Sequence, residues 1–513
     1  MRPWWPGFAN SWMVEDKMDQ PPIETDYLII GAGAAAMAFV DTLLSESDAQ
    51  VVIVDRHHQP GGHWNDAYSF VRLHQPSAFY GVNSHELDSG AIDTLGLNRG
   101  LHQLASGAEL LSYFEQVMDR RFLPSGRVRY FPMSNYAMDA DGEHRFTSLL
   151  TGRSRGVTVH RKVVDATHAR TATPSTHLPQ YAIAAGVQCV PLNQLPQLKR
   201  PPSSYVVVGS GKTGIDACLW LLQNEVAPSK ICWIMPRDAW FLDRANNQPG
   251  QDFFEQSVGG IVQQLEAIIA AKSIPDLFAR LEAAGQLLRL DENILPTAYH
   301  CATVSMAELS ALRRIENVVR LGRVEAIEPT RIVLEQGAIA HGPDSLIVDC
   351  SANGIPPPPV MPVFAGNRIN LLMVGTCQPV FSAALIAYVE SHIADEIEKN
   401  TLCRVVPSPV LPLDWLRMWA VFLDNGLRWG RHRGLTRWLL RSRLNGLMAM
   451  MFGLKKSDEE KQALLRRYRA GVQPAIEKLA QLLAAPPSPG LPGLPNVHRM
   501  YSNHPDPHSM AER

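Results

Sequence analysis

The stretch DYLIIGAGAAAMAF, residues 26–39, decides the fold. Tyr27 to Ile30 is a short apolar run that breaks at Gly31; a helical pattern follows from Met37 to Leu44, then a second apolar run from Val51 to Val54. That order predicts strand, glycine turn, helix, strand. In the turn, Gly31 permits the tight bend, Gly33 lets backbone N–H groups approach a pyrophosphate, and the small Ala36 allows the helix to pack closely on the strand. Asp55 closes the second strand roughly 20 residues downstream, the spacing of a carboxylate that hydrogen-bonds a ribose hydroxyl. A glycine turn alone is also an ordinary strand-to-helix connection; with helix, second strand and terminal acid in register, it predicts dinucleotide binding.

The same grammar recurs as Tyr205 to Val208, the turn GSGKTG, the helical Ile215 to Leu222 and the apolar Ile231 to Met235. This loop has all three glycines, Gly209, Gly211 and Gly214, with Lys212 and Thr213 inside it. No acid closes its second strand, where Pro236-Arg237 stands. A guanidinium there suits the extra 2′-phosphate of NADPH, which a carboxylate would repel, and Lys212 offers a second charge. The alternative is that Arg237 only caps a surface strand, with Asp238 beside it. A kinase-type phosphate loop would need a glycine where Val206 stands, so that reading fails.

Between the copies lie a helical stretch (Ala108 to Arg121), short strand candidates (Val128 to Phe131, Val157 to His160) and a proline-rich connector running to Pro202. Downstream, residues 255–289 read as helix, Val318 to Leu334 as short strands, and Leu346 to Asp349 as a strand before CSANG and a proline run. The fold class is α/β, with two Rossmann-like dinucleotide-binding domains. The expected organisation is a flexible tail over 1–25, a discontinuous first domain over 26–200 and 341–400, a second inserted over 201–340, and a helical basic extension over 401–513 with a disordered end.

The chain has 513 residues, 46% hydrophobic and 19% charged, and its 48 Lys+Arg nearly balance 50 Asp+Glu. No global field attracts nucleic acid. Seven cysteines are widely spaced, so neither a disulfide framework nor a metal knuckle is predicted. Histidines lack ligand spacing such as HExxH, and no metal is expected. With no signal-peptide run and no spanning segment, a cytoplasmic setting is the default.

PGGHW (Pro60 to Trp64) after Asp55, followed by RLHQPSAFYGV (Arg72 to Val82), resembles the flavin-binding stretch of class B flavoprotein monooxygenases, a group that includes flavin-containing, Baeyer-Villiger and N-hydroxylating enzymes. The order of motifs is similar over roughly residues 26–400, including VVDAT (Val163 to Thr167), VDCSANG (Val348 to Gly354) and LLMVGTC (Leu371 to Cys377) with a helix pattern from Ser382 to Ile397. The resemblance implies FAD in the first fold and NADPH in the inserted one. It implies cofactor contact for Arg56, Gly62, His63, Trp64, Arg72 and Tyr80, and for Gly375 in the closing segment, where a strand and a helix amino terminus approach the flavin. Two departures stand out: the family's Phe-x-Gly-x-x-x-His fingerprint is absent from Tyr181 to Leu195, and His168 replaces the glycine of its Ala-Thr-Gly.

The implied reaction is oxygenation of a small organic substrate by dioxygen through a flavin peroxide. The alternatives are a reductase for a quinone-like acceptor, and a flavin or nucleotide redox sensor without catalysis. No residue is assigned a catalytic role. His63, His74 and Tyr80 read either as hydrogen-bond partners of ring or substrate or as structural groups, Trp64 as a ring neighbour or as core, and Cys377, lacking a CxxC partner, as inert. From Asp414 to Lys456 the chain is basic and carries Trp415, Trp419, Trp429 and Trp438. Docking on the body is expected; the alternative is peripheral membrane contact through 414–456. The oligomeric state is not legible.

Overall fold

The computed structural model describes residues 21–87, 89–168, 173–352, 361–451 and 454–485. The expected tail as far as residue 20, Gly354 with the proline run, and the Pro/Gly-rich end from 486 lie outside the described residues.

Two sheets form the scaffold, and their central strands, parallel in both, repeat one another. In the first, the order is Ser154–Asp165, Ile23–Ile30, Val51–Val54, Val128–Phe131. In the second it is Ser345–Asp349, Ser204–Val208, Ile231–Ile234, Val318–Val319. The unbroken apolar runs VVIV and ICWI suit strands covered on both faces. The repetition reaches single hydrogen bonds. Gly31 N–H donates to the Val54 carbonyl at 2.8 Å, and Gly209 N–H to that of Ile234 at 3.0 Å. Asp165 Oδ1 accepts from the N–H and hydroxyl of Thr167, and Asp349 Oδ1 from those of Ser351.

Cys189–Pro191 pairs with Ser345–Asp349 at the edge of the second sheet, and Arg368–Asn370 returns the chain to the first sheet beside Ser154–Asp165. The second unit is therefore inserted in the first, and its sheet takes strands from both sides of the expected 201–340. Fold class and helical carboxy-terminal region agree with the sequence reading; several local expectations do not. The first strand starts at Ile23, inside the expected tail, because Ile23–Thr25 pairs with Val157–Val159. That pairing continues across a bulge to Asp165, so the strand expected over Val157 to His160 runs on into VVDAT. The 255–289 helix breaks into Phe254–Ala270 and Ile274–Ala283, since Ser273 caps the second by accepting from Asp276 N–H and Pro275 sits in its first turn. LLMVGTC is not a strand: the Ser382 hydroxyl takes the N–H groups of Val374 and Gly375, each at 3.1 Å, in place of a ladder. The following helix, Pro379–His392, stops short of Ile397.

The carboxy-terminal helices Pro412–Arg431, Arg433–Arg441 and Glu459–Ala484 dock on the body. Trp415, Met418 and Trp419 pack in one core with Trp240, Tyr299 and Leu479, while Trp429 and Trp438 join the main core. The four tryptophans that a membrane contact would use are thus covered. No described helix is long and apolar enough to cross a membrane. Arg443 fastens this region to the 78–85 stretch, donating to the carbonyls of Ala78 (2.8 Å), Tyr80 (2.9 Å), His85 (2.7 Å) and Val82. Replacing it leaves those carbonyls facing a void. Arg443→Ala should cost about 3 kcal/mol and lower the melting temperature by several degrees. An unchanged melting temperature by differential scanning fluorimetry would show that the docking does not need this anchor.

Candidate functional site

Two glycine turns are the starting point, because each leads into a helix amino terminus. Neither the helix Ala34–Glu46 nor the helix Lys212–Gln223 has a side chain capping its first turn, so their leading N–H groups are free for an anion. In the second turn the backbone folds on itself: a Cβ on Gly214 would lie 2.1 Å from the Gly209 carbonyl oxygen, and only glycine fits. In the first, Gly33 faces Gly62, whose Cβ would stand 2.9 Å from the Gly33 Cα. Gly61 N–H donates to the Ala32 carbonyl at 2.9 Å, which seats the 60–64 stretch on the turn.

Asp55 is buried beneath that turn. Its Oδ2 accepts from Ala32 N–H at 2.5 Å, and its Oδ1 from the His57 backbone N–H at 2.7 Å. The His57 ring lies between Asp55 Oδ1 and Asp66 Oδ2, 3.0 Å from each. On the neighbouring strand the buried Tyr130 hydroxyl has no partner, and the Asp55 charge adds to burial in raising its pKa. An orphan hydroxyl beside a turn-capping carboxylate is a pair of groups that a ribose diol would satisfy. Asp55, Gly31, Gly33 and Gly62 therefore meet at one turn, with Ala36 buried in the helix that follows.

Trp64 and Tyr80 lie behind the turn, bonded to each other. Trp64 Nε1 donates to the Tyr80 hydroxyl at 2.9 Å, and both rings are buried in the main core. His63 lies against Trp64, ring centroids 4.8 Å apart, and burial lowers its pKa to about 4, with the charge of His57 adding to the effect. Arg56 is exposed. Gly375 is buried, its would-be Cβ 2.9 Å from Phe381 Cδ1. Thr213 sits in the second turn, half-buried.

At the second site, Asp238 is consumed by Arg320, which pairs with it through two hydrogen bonds of 2.7 and 3.0 Å. The half-buried Arg237 has no hydrogen bond or ion pair among the described residues, and its pKa is lowered by burial and by the nearby Arg323 charge. The ammonium of Lys212, the second charge expected near the nucleotide, pairs here with Asp216, one helical turn on, and Asp216 also accepts from the Tyr68 hydroxyl. Tyr68 belongs to the first unit, so this network crosses between the units.

Below that crossing lies a cavity of about 220 Å³. One wall is the helix Lys212–Gln223, with Ile215, Leu219 and Trp220; opposite are Arg72, His74 and Leu104. Phe70 stacks on Trp220 across the units, centroids 4.9 Å apart. Arg72 thus lines the cavity, with one donor held by the Leu104 carbonyl. The floor is set by Arg244, 2% exposed, which donates to the carbonyls of His74 (3.0 Å) and Thr303 (3.3 Å), to Asn98 Oδ1 (3.0 Å) and to Glu308 Oε2 (2.7 Å). His74 is held neutral, its pKa lowered to about 3 by burial and then by Lys212 and Arg244, so its Nδ1 is free to accept from Thr303 N–H at 3.4 Å. Asp216, Tyr68, Arg244 and Glu308 carried no local motif; Asp216, one turn after Lys212 on a helix, was the only visible signal.

Cys377 is not the partnerless thiol expected from spacing. It is disulfide-bonded to Cys301, 76 residues earlier. Trp240 pairs with Tyr299 and Leu242 with Thr303, so the chain bulges at 300–302. The bulge turns Cys301 toward Cys377 while Ala302 and Thr303 line the cavity.

A model of the NAD(P)-binding Rossmann-like domain matches residues 29–91. The chain is 49% identical over 463 residues to the uncharacterized protein Rv2000 of Mycobacterium tuberculosis and, equally, to the uncharacterized protein Mb2023 of Mycobacterium bovis; the match covers 90% of this chain and 85% of each of theirs. Among solved structures it is similar to an open form of cyclohexanone monooxygenase, at 14% identity and a TM-score of 0.49 over 80% of this chain and 98% of that one. It is also similar to an oxidized steroid monooxygenase bound to NADP, at 15% identity and a TM-score of 0.47 over 72% and 86%.

The disulfide gives a direct count. Alkylation of the denatured, unreduced protein should label five thiols, those of Cys189, Cys218, Cys232, Cys350 and Cys403, and prior reduction should raise the number to seven. Seven labels without reduction, read by intact-mass spectrometry, would remove the bond.

Proposed function

The chain belongs to one family with the mycobacterial proteins Rv2000 and Mb2023, and we propose that it is an FAD- and NADPH-dependent oxidoreductase, a monooxygenase acting on a small, largely apolar organic molecule. The observation that carries this reading is the cavity lined by both dinucleotide units, one wall beginning at the second glycine turn and the other on the stretch that follows the first. The motifs PGGHW and RLHQPSAFYGV, similar to those of class B flavoprotein monooxygenases, support the choice of flavin for the first unit.

The residues fit both groups. The turn of Gly31 and Gly33, with no side chain capping the helix behind it, would present backbone N–H groups to a diphosphate, and Asp55 with the orphan Tyr130 hydroxyl would hold a ribose diol. In the second unit Gly209, Gly211 and Gly214 would cradle the other diphosphate, and Arg237, with Arg323 near it and no carboxylate of its own, would take the 2′-phosphate. When bound, the two cofactors supply hydride transfer and activation of dioxygen.

The chain's own part is to orient and to exclude water. Tyr68, Asp216 and Lys212 tie the units at the mouth of the cavity, with Phe70 on Trp220 beside them. Leu73, Leu97, Leu104, Ile215 and Leu219 give the substrate an apolar lining; of the charged groups facing it, Lys212–Asp216 and Arg244–Glu308 are paired with each other and Arg72 is held by the Leu104 carbonyl. Neutral His74 has no proton to release near neutrality, which keeps that wall from acting as an acid.

The reaction is tested by following NADPH oxidation under labelled dioxygen with a panel of small ketones, thioethers and amines. The expected result is substrate-dependent oxidation with one labelled oxygen atom in the product. Substrate-dependent oxidation with no label would make the protein a reductase, and no substrate dependence would leave it without enzymatic turnover. Cofactor choice is tested separately. Arg237→Ala should raise KM for NADPH roughly tenfold or more and leave NADH unaffected, the loss of about 1.5 to 3 kcal/mol expected for one charge-assisted contact. Equal losses for both nucleotides would make Arg237 structural.

A further inference from the structure

His57 occupies a position that no glycine motif explains. Its ring stands between two carboxylates on two different elements: Asp55, at the end of the strand Val51–Val54, and Asp66, on the short helix Gly62–Asp66, each 3.0 Å away. Its carbonyl accepts from Met133 N–H at 3.0 Å, and Ser134 N–H donates to the Asp55 carbonyl at 2.9 Å, so the segment after Val128–Phe131 fixes the same loop. The other titratable groups facing this cluster are His63, on the short helix, and Tyr130, on the adjacent strand.

The electrostatic problem is specific. A dinucleotide diphosphate would have to settle at a turn that already holds Asp55 beneath it and Asp66 at its rim. Two carboxylates repel that anion, and a cation bonded to both offsets half of their charge. The same ring nitrogen that bonds Asp55 fixes the carboxylate's rotation, with one oxygen on Ala32 N–H and the other on His57.

We infer that His57 is the positioning residue of the first nucleotide site: as an imidazolium clamped between Asp55 and Asp66, it aims Asp55 at the ribose diol and offsets one of the two carboxylate charges at the approach to the glycine turn. The inference rests on the reading that the first unit holds FAD. It makes nucleotide affinity depend on one proton. Its hydrogen bond to Asp55, opposed by burial and assisted by Asp66, pushes the His57 pKa up to about 9 from the ordinary 6.5. The sign follows from the raised value. The cation is present at neutral pH, its contribution is full below about 6.5, and it is lost as pH rises through about 9.

The test is titration of the flavin-stripped full-length protein with FAD, and in parallel with ADP, from pH 7 to pH 10. At pH 7 His57→Gln should bind both probes about tenfold more weakly than the natural protein. The ratio of the two dissociation constants should fall toward one by pH 10, where the natural imidazole has lost its proton. His57→Arg should keep most of the affinity across the range. Asp66→Asn changes a half-exposed group and leaves Asp55 in place; it should move the decline in affinity to lower pH. A His57→Gln ratio that does not change with pH, or an Asp66→Asn curve that coincides with the natural one, would overturn the inference and leave the flavin reading standing. Failure of FAD to bind any of the proteins at any pH would overturn both.

Discussion

A single buried guanidinium holds the two units at the separation that leaves a cavity between them. Arg244 reaches His74 and Asn98 on the first unit's side and Thr303 and Glu308 on the other, and all three of its nitrogens are engaged. Taking such a charge out of water is costly unless every donor is met and an anion stands by. Glu308 supplies the anion, and it is itself fixed by accepting from Ser305 N–H at the start of its helix. The floor of the cavity is therefore a fixed polar lattice. The Cys301–Cys377 bond, next to Ala302 and Thr303, anchors the same strand to the closing segment of the first unit.

Around that junction one structural idea is used twice and then made different. Both units place a glycine after the first strand, an uncapped helix behind it, and, on the strand flanking the first on its other side, a terminal aspartate that caps the residue two positions on. They part company at the end of the second strand. There the first unit has Asp55, clamped by His57, and the second has Arg237, with Asp238 removed by Arg320. Equal turns with opposite charge at the ribose position suit two different nucleotides, which is the physical content of the proposed division of labour.

What could be read from the sequence was local. Gly31, Gly33, Asp55 and the 209–214 turn announce themselves because strand, turn and helix follow in a fixed order over a few tens of residues. The docking of the carboxy-terminal helices was legible for a related reason: Trp415 and Trp419 lie on one helical face, and both are buried. The parts that were not legible join distant positions. Tyr68 and Asp216 are 148 residues apart, and Arg244 and His74 are 170 apart; neither pair has a spacing rule. Cys377 looked inert because its partner stands 76 residues away on a bulge. Lys212 looked free because Asp216, one turn on, reads as a surface helix residue until the first unit covers it. Trp64 and Tyr80 are a further case: the bond between them, from indole N–H to hydroxyl, joins positions 16 residues apart that no spacing rule pairs.

The central claim is that two nucleotide units face one shared cavity so that electrons pass from one to the other. It is tested most directly by the visible absorption spectrum of the purified, FAD-loaded protein under anaerobic conditions, before and after one equivalent of NADPH. The account predicts tightly held oxidised flavin whose bands bleach on addition of NADPH. A protein that retains no flavin, or one whose flavin stays oxidised in the presence of NADPH, would contradict it.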